Sequence, residues 1–434
     1  MPAVPGVHYR EQPIDGDLGF VFAGAGSAYG EMGRELLQAL PELGEMLSDF
    51  SQEAAAALEA PWAGDETPAL QRLWSASAVC QLHALFSQRV LGLKPDAVIG
   101  YSSGESNSLF ATGTWTDMDA MISDATAGKL FTEDIGGAFR VLDASWNEDA
   151  RWETWTVLAP VEQVRALVEK QEHAFLSVIH SDGDCIVSGA SDACAAIVEG
   201  VGRQRCLRLH YDLAVHVPLL NAVREPWLKL HRRDVTVQPN LRVYSGGHGG
   251  QYTPSTEACA NAILQQANQT LDFRPVIEAA WNDGVRIFVE HGPQGSCSRW
   301  IRDILGDRDA IVVSLDRKGK GLEPLVDAVA ALIAAGVSCD STALFEKLIP
   351  AAKPSVPRLT FAAHRDSIQN LPLPPRAESE PESQMQNMPP APQLRPITNA
   401  DPLPRQALQP AMPAVAASAP VAASAPVAAS APVA

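Results

Sequence analysis

Residues 99–105 read Ile-Gly-Tyr-Ser-Ser-Gly-Glu and contain the motif Gly-x-Ser-x-Gly. An apolar run at 97–101 precedes the motif, and a helix-compatible run at 105–111 follows it. This strand–turn–helix context is typical of a nucleophile elbow, whose sharp turn needs small flanking residues. Ser102 would then stand at a helix N-terminus, where free N–H groups stabilise negative charge. The stretch predicts a nucleophilic serine, with an ordinary glycine-rich turn as the alternative.

The segments on both sides of the motif alternate between strand and helix patterns. Apolar runs of strand length occur at 18–23, 97–101, 241–244, 286–290 and 310–314. Helical patterns occur at 31–40, 41–58, 68–90 and 117–131. Such alternation predicts an α/β fold of hydrolase-like type, with a mostly parallel sheet and helices on both faces. We expect this body to comprise residues 18–150 and 211–350, after a lead-in at 1–17.

Residues 151–210 have a rhythm of their own. Strand patterns at 155–159, 175–180, 185–188 and 205–210 alternate with helical patterns at 161–172 and 192–201. The order β-α-β-β-α-β is the ferredoxin-like signature. The sequence therefore predicts a ferredoxin-like subdomain inserted after the elbow.

The composition excludes several classes of function. Hydrophobic residues make up 46% of the 434 residues, and the formal net charge is -18, which argues against nucleic acid or an anionic membrane as partner. The seven cysteines are scattered without a Cys-x-x-Cys pair, so we expect reduced thiols, no metal site and a cytoplasmic location. No signal peptide or membrane-spanning run is recognisable in the sequence.

The segment 351–434 differs from the rest in composition. It holds about half of the chain's 33 prolines, contains no glycine, and ends in repeats of Ala-Ala-Ser-Ala-Pro-Val between 416 and 433. Such a sequence cannot bury a core and favours extended polyproline II conformations. We expect a disordered, semi-rigid linker that tethers the body to a further domain.

Four stretches, in this order along the chain, resemble one family. They are Phe-Ala-Gly-Ala-Gly-Ser at 22–27, Gly-Tyr-Ser-Ser-Gly at 100–104, Leu-Ala-Val-His at 213–216 and Val-Glu-His-Gly-Pro at 289–293. They are similar to the opening segment, elbow, histidine region and late strand end of malonyl-CoA:acyl carrier protein transacylases, the family of acyltransferase domains in fatty-acid and polyketide synthases. The elbow tyrosine and the run 297–301 resemble iterative synthases of the polyunsaturated-fatty-acid type.

The resemblance implies a chemistry and a set of partners. Ser102 would attack an acyl-CoA thioester with His216 as general base, and the backbone N–H groups of Ser103 and Ala25 would form the oxyanion hole. The acyl group would pass to the phosphopantetheine thiol of an acyl carrier protein. Acyl-CoA and phosphopantetheine are thus substrates, and no bound cofactor is expected. In the parent chain, a ketosynthase domain would lie on the N-terminal side, and carrier domains would follow the linker.

The resemblance also implies a substrate pocket that contains Tyr101, Ala127, His180 and Val215. In this family an arginine in the helix after the elbow binds the free carboxylate of malonyl groups, and here the matching position holds Ala127. Lys129, two positions later, should face away. Since burying an unpaired carboxylate is unfavourable, we expect a preference for an uncharged acyl group such as acetyl or a longer chain. A one-position slip of the alignment, or another basic residue, would restore malonyl.

Two other classes of function remain open from the sequence. The same serine and histidine could release acyl groups to water, as a thioesterase does. Alternatively, the replacements at Ala25, Tyr101 and Ala127 would suit a degenerate domain kept for docking, although Ser102 and His216 are both present. The lifetime of an acyl-serine in the absence of a carrier thiol distinguishes these classes.

Overall fold

The structure, a computed structural model, describes residues 6–60, 62–142, 146 and 151–348. The segment for which a disordered linker is expected lies outside these residues. Within them the strands are β1 (Asp17–Phe22), β2 (Ala97–Gly100), β3 (Trp152–Val157), β4 (Ala174–Ser181), β5 (Asp184–Ala190), β6 (Cys206–Leu209), β7 (Arg242–Ser245), β8 (Gly250–Tyr252), β9 (Leu271–Asp272), β10 (Val285–His291) and β11 (Ile311–Ser314).

The α-helices of the described residues surround these strands. They are α1 (Arg34–Ala39), α2 (Glu42–Phe50), α3 (Gln52–Glu59), α4 (Ala69–Leu85), α5 (Gly104–Ala111), α6 (Met118–Ala127), α7 (Val161–Val168), α8 (Ser191–Val201), α9 (Arg224–His231), α10 (Thr256–Ala267), α11 (Phe273–Asn282), α12 (Ser296–Leu305), α13 (Glu323–Ala334) and α14 (Thr342–Leu348).

The larger sheet has the strand order β11-β10-β1-β2-β7-β8. All neighbours are parallel except β7 and β8, which are antiparallel. Successive side chains of β1 enter different cores, since Phe20 and Phe22 pack with the helices between β1 and β2, whereas Val21 packs with α11 and α12. Both faces of the sheet are therefore covered, as parallel sheets require. The expected α/β class is confirmed.

The smaller sheet has the order β6-β3-β5-β4-β9. Its first four strands are antiparallel neighbours, with α7 and α8 in the connections, which gives the ferredoxin-like order. The fifth strand was not expected. Leu271 and Asp272, which follow α10 in the body, pair in parallel with Val178 and Ile179 of β4. The body thus contributes one strand to the sheet of the insertion.

Several helices are shorter than their sequence patterns. The pattern at 41–58 is divided into α2 and α3, because Ser51 leaves the helical region and its hydroxyl accepts a hydrogen bond from the Ala54 N–H at 2.9 Å. The pattern at 117–131 ends at Ala127, because Gly128 adopts an extended conformation. Ala127 is therefore the last residue of α6.

Candidate active site

A strained turn between β2 and α5 presents Ser102. Its φ angle is +56°, in the left-handed region that non-glycine residues avoid. A Cβ on Gly100 would lie 2.1 Å from the Cα of Glu105, and one on Gly104 would lie 2.0 Å from the carbonyl oxygen of Phe22. Only glycine fits at these two positions, so the motif Gly-x-Ser-x-Gly is a steric requirement of this turn. Strain of this kind is typical of functional sites.

The imidazole of His216 lies against the serine. Its Nε2 is 2.8 Å from Ser102 Oγ, and its Nδ1 is 2.6 Å from the backbone carbonyl oxygen of Gln266. Since a carbonyl oxygen can only accept, Nδ1 carries the proton and Nε2 is free to accept one from the serine hydroxyl. Burial lowers the pKa of His216 to about 4, so the ring is neutral at neutral pH. These are the properties of a general base.

Gln266 holds both members of this pair. Its side-chain Nε2 donates to the backbone carbonyl oxygen of Ser102 at 3.1 Å, while its own carbonyl oxygen accepts from His216. The group that orients the histidine is therefore a backbone carbonyl, whereas many hydrolases have a carboxylate in this place. Sequence reasoning missed this residue, because a glutamine inside the helix α10 belongs to no motif.

The loop after β1 brings a second backbone donor to the elbow. Gly24 packs so closely on the elbow that a Cβ there would lie 3.2 Å from the Cβ of Ser102. The next residue, Ala25, is buried, and its N–H donates to the hydroxyl Oγ of Ser103 at 3.1 Å. The two residues expected to form the oxyanion hole are thus adjacent in space. In this structure the N–H of Ala25 is hydrogen-bonded to the side chain of Ser103.

Tyr101 and His180 form a hydrogen-bonded chain beside the nucleophile. Burial raises the pKa of Tyr101 well above its usual value, so its hydroxyl remains protonated, and it lies 2.7 Å from Nε2 of His180. Nδ1 of His180 is 2.9 Å from Oδ1 of Asp184, and the other oxygen of Asp184 accepts from Arg299 at 2.5 Å and from Trp300 at 3.0 Å. This series of hydrogen bonds connects the elbow to the small sheet.

Two cavities meet at Ser102 and His216. The first is a cleft of about 240 Å³ between the elbow and the small sheet, and its lining includes Tyr101 and His180. The second is an inner cavity of about 60 Å³ between α4, α5, α6, α9 and α10. Val215 lines both cavities.

Ala127 is the expected site residue that the structure does not bring to either cavity. It is exposed at the end of α6, whose buried residues are Met118, Met121, Ile122 and Ala125. Two residues correspond to about 200° of rotation, so Ala127 lies opposite Ala125. Met121 of the same helix lines the inner cavity instead. Lys129 is exposed and pairs with Glu133 at 3.0 Å.

The described residues contain neither a metal-binding cluster nor a membrane-spanning helix. Among them, no three His, Cys, Asp or Glu side chains are arranged to hold a metal ion. The helices in that part of the chain are all too short or too polar to cross a bilayer. The seven cysteines are free thiols.

Comparison with known proteins finds relatives among large synthases. No protein family model matches the chain. The polyketide synthase GfsA of Streptomyces halstedii is 29% identical over 398 residues, which are 84% of this chain and 5% of that protein. One subunit of the polyunsaturated fatty acid synthase of a Thraustochytrium species is 22% identical over 251 residues, or 53% of this chain and 12% of that protein. The chain thus spans only a small part of these relatives.

Solved structures agree in fold. The acyltransferase domain from the second module of the salinomycin polyketide synthase matches with a TM-score of 0.63 and 22% identity, over 76% of this chain and 77% of that one. A malonyl-CoA:acyl carrier protein transacylase from Xanthomonas oryzae matches with a TM-score of 0.57 and 19% identity, over 74% of this chain and 98% of that one. A chain from the structure of a type II polyketide synthase acyl carrier protein in complex with its malonyl-transacylase matches with a TM-score of 0.59 and 17% identity. The match covers 73% of this chain and 99% of that one.

These findings confirm the resemblance inferred from the four sequence stretches. The chain has the fold of the acyltransferase domains of polyketide synthases and of malonyl-CoA:acyl carrier protein transacylases, and its sequence is related to polyketide synthases over most of its length.

Proposed function

We propose that this chain is an acyltransferase domain, which moves an acyl group from acyl-CoA to the phosphopantetheine thiol of an acyl carrier protein. The observation that carries the proposal is the pair Ser102 and His216, joined at 2.8 Å on a strained elbow. The kinship with polyketide synthases supports the same conclusion.

The first half-reaction forms an acyl-serine ester. Ser102 Oγ attacks the thioester carbonyl carbon while its proton passes to Nε2 of His216. The negative charge that develops on the carbonyl oxygen is stabilised by the backbone N–H groups of Ser103 and Ala25. The carbon–sulfur bond then breaks, and the proton on His216 passes to the departing CoA sulfur.

The second half-reaction reverses these steps with a new thiol. The phosphopantetheine thiol gives its proton to His216 and attacks the ester carbonyl, and the proton then returns to Ser102 Oγ as the carbon–oxygen bond breaks. Nδ1 of His216 stays bound to the carbonyl oxygen of Gln266, so the ring keeps one orientation in both halves. The kinetics should be ping-pong.

The carrier protein is the partner that this chemistry requires. One structure of the same fold is a transacylase in complex with an acyl carrier protein. The relatives are much longer than this chain, so carrier domains tethered by the proline-rich segment, and a ketosynthase on the N-terminal side, are the arrangement we propose.

Intact-protein mass spectrometry tests the proposal. The chain is mixed briefly with acetyl-, hexanoyl- or malonyl-CoA, and then with a phosphopantetheine-loaded acyl carrier protein. We expect an acyl adduct that moves to the carrier, is lost in Ser102→Ala and is kept in Ser108→Ala. Ser108 is the matched control, because it is a buried serine of α5, the helix that follows Ser102, and it lines neither cavity. Free acid without a lasting adduct would show a hydrolase, and no adduct and no turnover would overturn the proposal.

A further inference from the structure

The inner cavity extends from the nucleophile into the helical core. Ser102 and His216 belong to its lining, and most of its other lining residues are apolar. Its large apolar side chains come from five different helices and the segments next to them, namely Leu73, Phe110, Met121, Phe131, Trp227 and Ile263. An aliphatic chain that enters this space would exchange contact with water for contact with apolar side chains, which favours its binding.

The described lining of this cavity carries no formal charge at neutral pH. Among the described residues that line it there is no Lys, Arg, Asp or Glu. Its two histidines, His216 and His231, have pKa values lowered to about 4 by burial, so both are neutral at neutral pH. The nearby cation Arg233 is paired with Asp124 at 2.6 Å and lines neither cavity. A free carboxylate here would be buried without a counter-ion, which is strongly unfavourable.

The cleft on the other side of Ser102 is also lined by apolar side chains, such as Val178, Ile186 and Trp300, but it adds a group of hydroxyls. Its walls carry hydroxyl groups of the small sheet, from Thr154, Thr156, Ser177 and Ser188, and Arg299, which is paired with Asp184, lies beside them. A phosphopantetheine arm has amide groups, which such hydroxyls can bind by hydrogen bonds. A thioester at Ser102 needs two spaces, one for the thiol arm and one for the acyl chain. The cleft suits the phosphopantetheine arm, and the inner cavity suits the acyl chain.

The volume of the inner cavity sets the length of the chain. The inner cavity has about 60 Å³, against about 240 Å³ for the cleft, so it suits a chain of limited length. We propose that the domain prefers an uncharged aliphatic acyl group of short to medium length, such as hexanoyl, and that the acyl chain occupies the inner cavity. The inference rests on the proposed acyl transfer at Ser102. It does not rest on Ala127, which lies outside the cavity.

Chain-length profiles of acylation test this inference. The rate constant of Ser102 adduct formation is measured with acetyl-, butyryl-, hexanoyl-, octanoyl- and malonyl-CoA. Because malonyl would bury a carboxylate without a counter-ion and each methylene of hexanoyl gains about 10-fold or more in an apolar pocket, we expect hexanoyl-CoA to exceed malonyl-CoA by at least about 10-fold. Met121→Trp, which fills the cavity, should lower hexanoyl transfer about 10-fold more than it lowers acetyl transfer. Met121→Ala should move the optimum to octanoyl.

The controls separate the possible failures. Met46→Ala removes a methionine that packs on the same core but lines no cavity near Ser102, so its profile should match that of the parent. Malonyl-CoA as the best donor, or equal effects of both Met121 variants on all chain lengths, would overturn this inference and leave acyl transfer intact. An adduct with none of the donors would overturn the acyltransferase proposal, and this inference with it.

Discussion

The backbone N–H of Ala25 donates to the side-chain oxygen of Ser103 at 3.1 Å. If this N–H stabilises the oxyanion, as proposed, then the hydroxyl of Ser103 competes with the reacting oxygen for it. The Ser103 side chain has to turn away before Ala25 can contribute. In the absence of substrate, the N–H of Ala25 is therefore occupied by the hydroxyl of Ser103.

Removal of this hydroxyl should speed acylation. A neutral hydrogen bond is worth about 0.5–1.5 kcal/mol, so Ser103→Ala should raise the acylation rate constant by roughly two- to ten-fold. Stopped-flow measurement of CoA release gives this rate, and Ser103→Thr, which keeps the hydroxyl, is the matched variant. A fall of about 10-fold in Ser103→Ala would show instead that the hydroxyl donates to the oxyanion.

The pH dependence of acylation should report the buried histidine. Burial lowers the pKa of His216 to about 4, and only the neutral ring can accept the serine proton. The acylation kcat/KM should therefore stay level from pH 8 down to about 5 and fall near pH 4, rather than near 6.5 as for an exposed histidine. A profile of initial rates checks this, and an inflection near pH 6.5 would contradict the proposed burial.

The lowered pKa of His216 also makes the folded state less stable at acidic pH. Between pH 6.5 and about 4 the unfolded chain binds a proton at this position and the folded chain does not, so stability falls as the pH falls through that window. His216→Gln should reduce this slope in urea titrations at pH 7, 6 and 5. Ser102→Ala, which keeps the imidazole, is the control and should retain the slope.

Glu105, the first acidic residue after the elbow, should act in the opposite sense. Burial raises its pKa to about 8, and one of its oxygens lies 3.0 Å from the hydroxyl of Ser245. The folded state therefore holds a proton that the unfolded state releases above its usual pKa of 4.5, so stability falls as the pH rises from about 4.5 to about 8 and then levels off.

A neutral amide in this place should remove that dependence. We expect Glu105→Gln to raise the melting temperature by roughly 2 °C or more at pH 9, with a smaller change at pH 5. Scanning calorimetry at both pH values measures the difference. Equal shifts at pH 5 and pH 9 would mean that ionisation of Glu105 plays no part.

The link between Tyr101 and His180 should contribute to stability more than to chemistry. Tyr101→Phe leaves Nε2 of the buried His180 without its partner at 2.7 Å, which should lower the free energy of unfolding by about 1–3 kcal/mol. The adduct at Ser102 should still form. Denaturant titration gives the first quantity and mass spectrometry the second.

A second tyrosine provides the comparison. Tyr244→Phe removes a hydroxyl that donates to Asp283 at 2.8 Å, and because Asp283 is exposed, its carboxylate can turn to water. The destabilisation should be smaller than that of Tyr101→Phe. The reverse order would contradict the assignment of the buried chain as a stabilising contact.

Local sequence patterns predicted the elbow, the parallel sheet and the ferredoxin-like insertion, because each depends on short-range rules. Gly100 and Gly104 are required by direct contacts, and the β-α-β-β-α-β order follows from hydrophobic periodicity. The roles of Ser102 and His216 as nucleophile and base remain predictions, to which the structure adds a distance of 2.8 Å.

Other features depend on contacts between distant segments and could not be predicted. Gln266 acts on Ser102 through a fold that joins residues 164 positions apart, and no motif announces it. The strand β9 has two residues, too few for a pattern. The position of Ala127 was judged from an alignment, whereas the face of a helix is set by packing, and Met118 and Met121 hold α6 with Ala127 outward.

The two-residue strand β9 has a practical consequence for anyone who recombines such domains. Only three residues separate it from α10, whose last turn carries the carbonyl that orients His216. An exchange of residues 151–210 for the same part of another synthase would leave Leu271 and Asp272 facing a foreign edge at Val178 and Ile179. A transplanted insertion therefore needs its matching segment around 266–272, or the general base will lose its alignment.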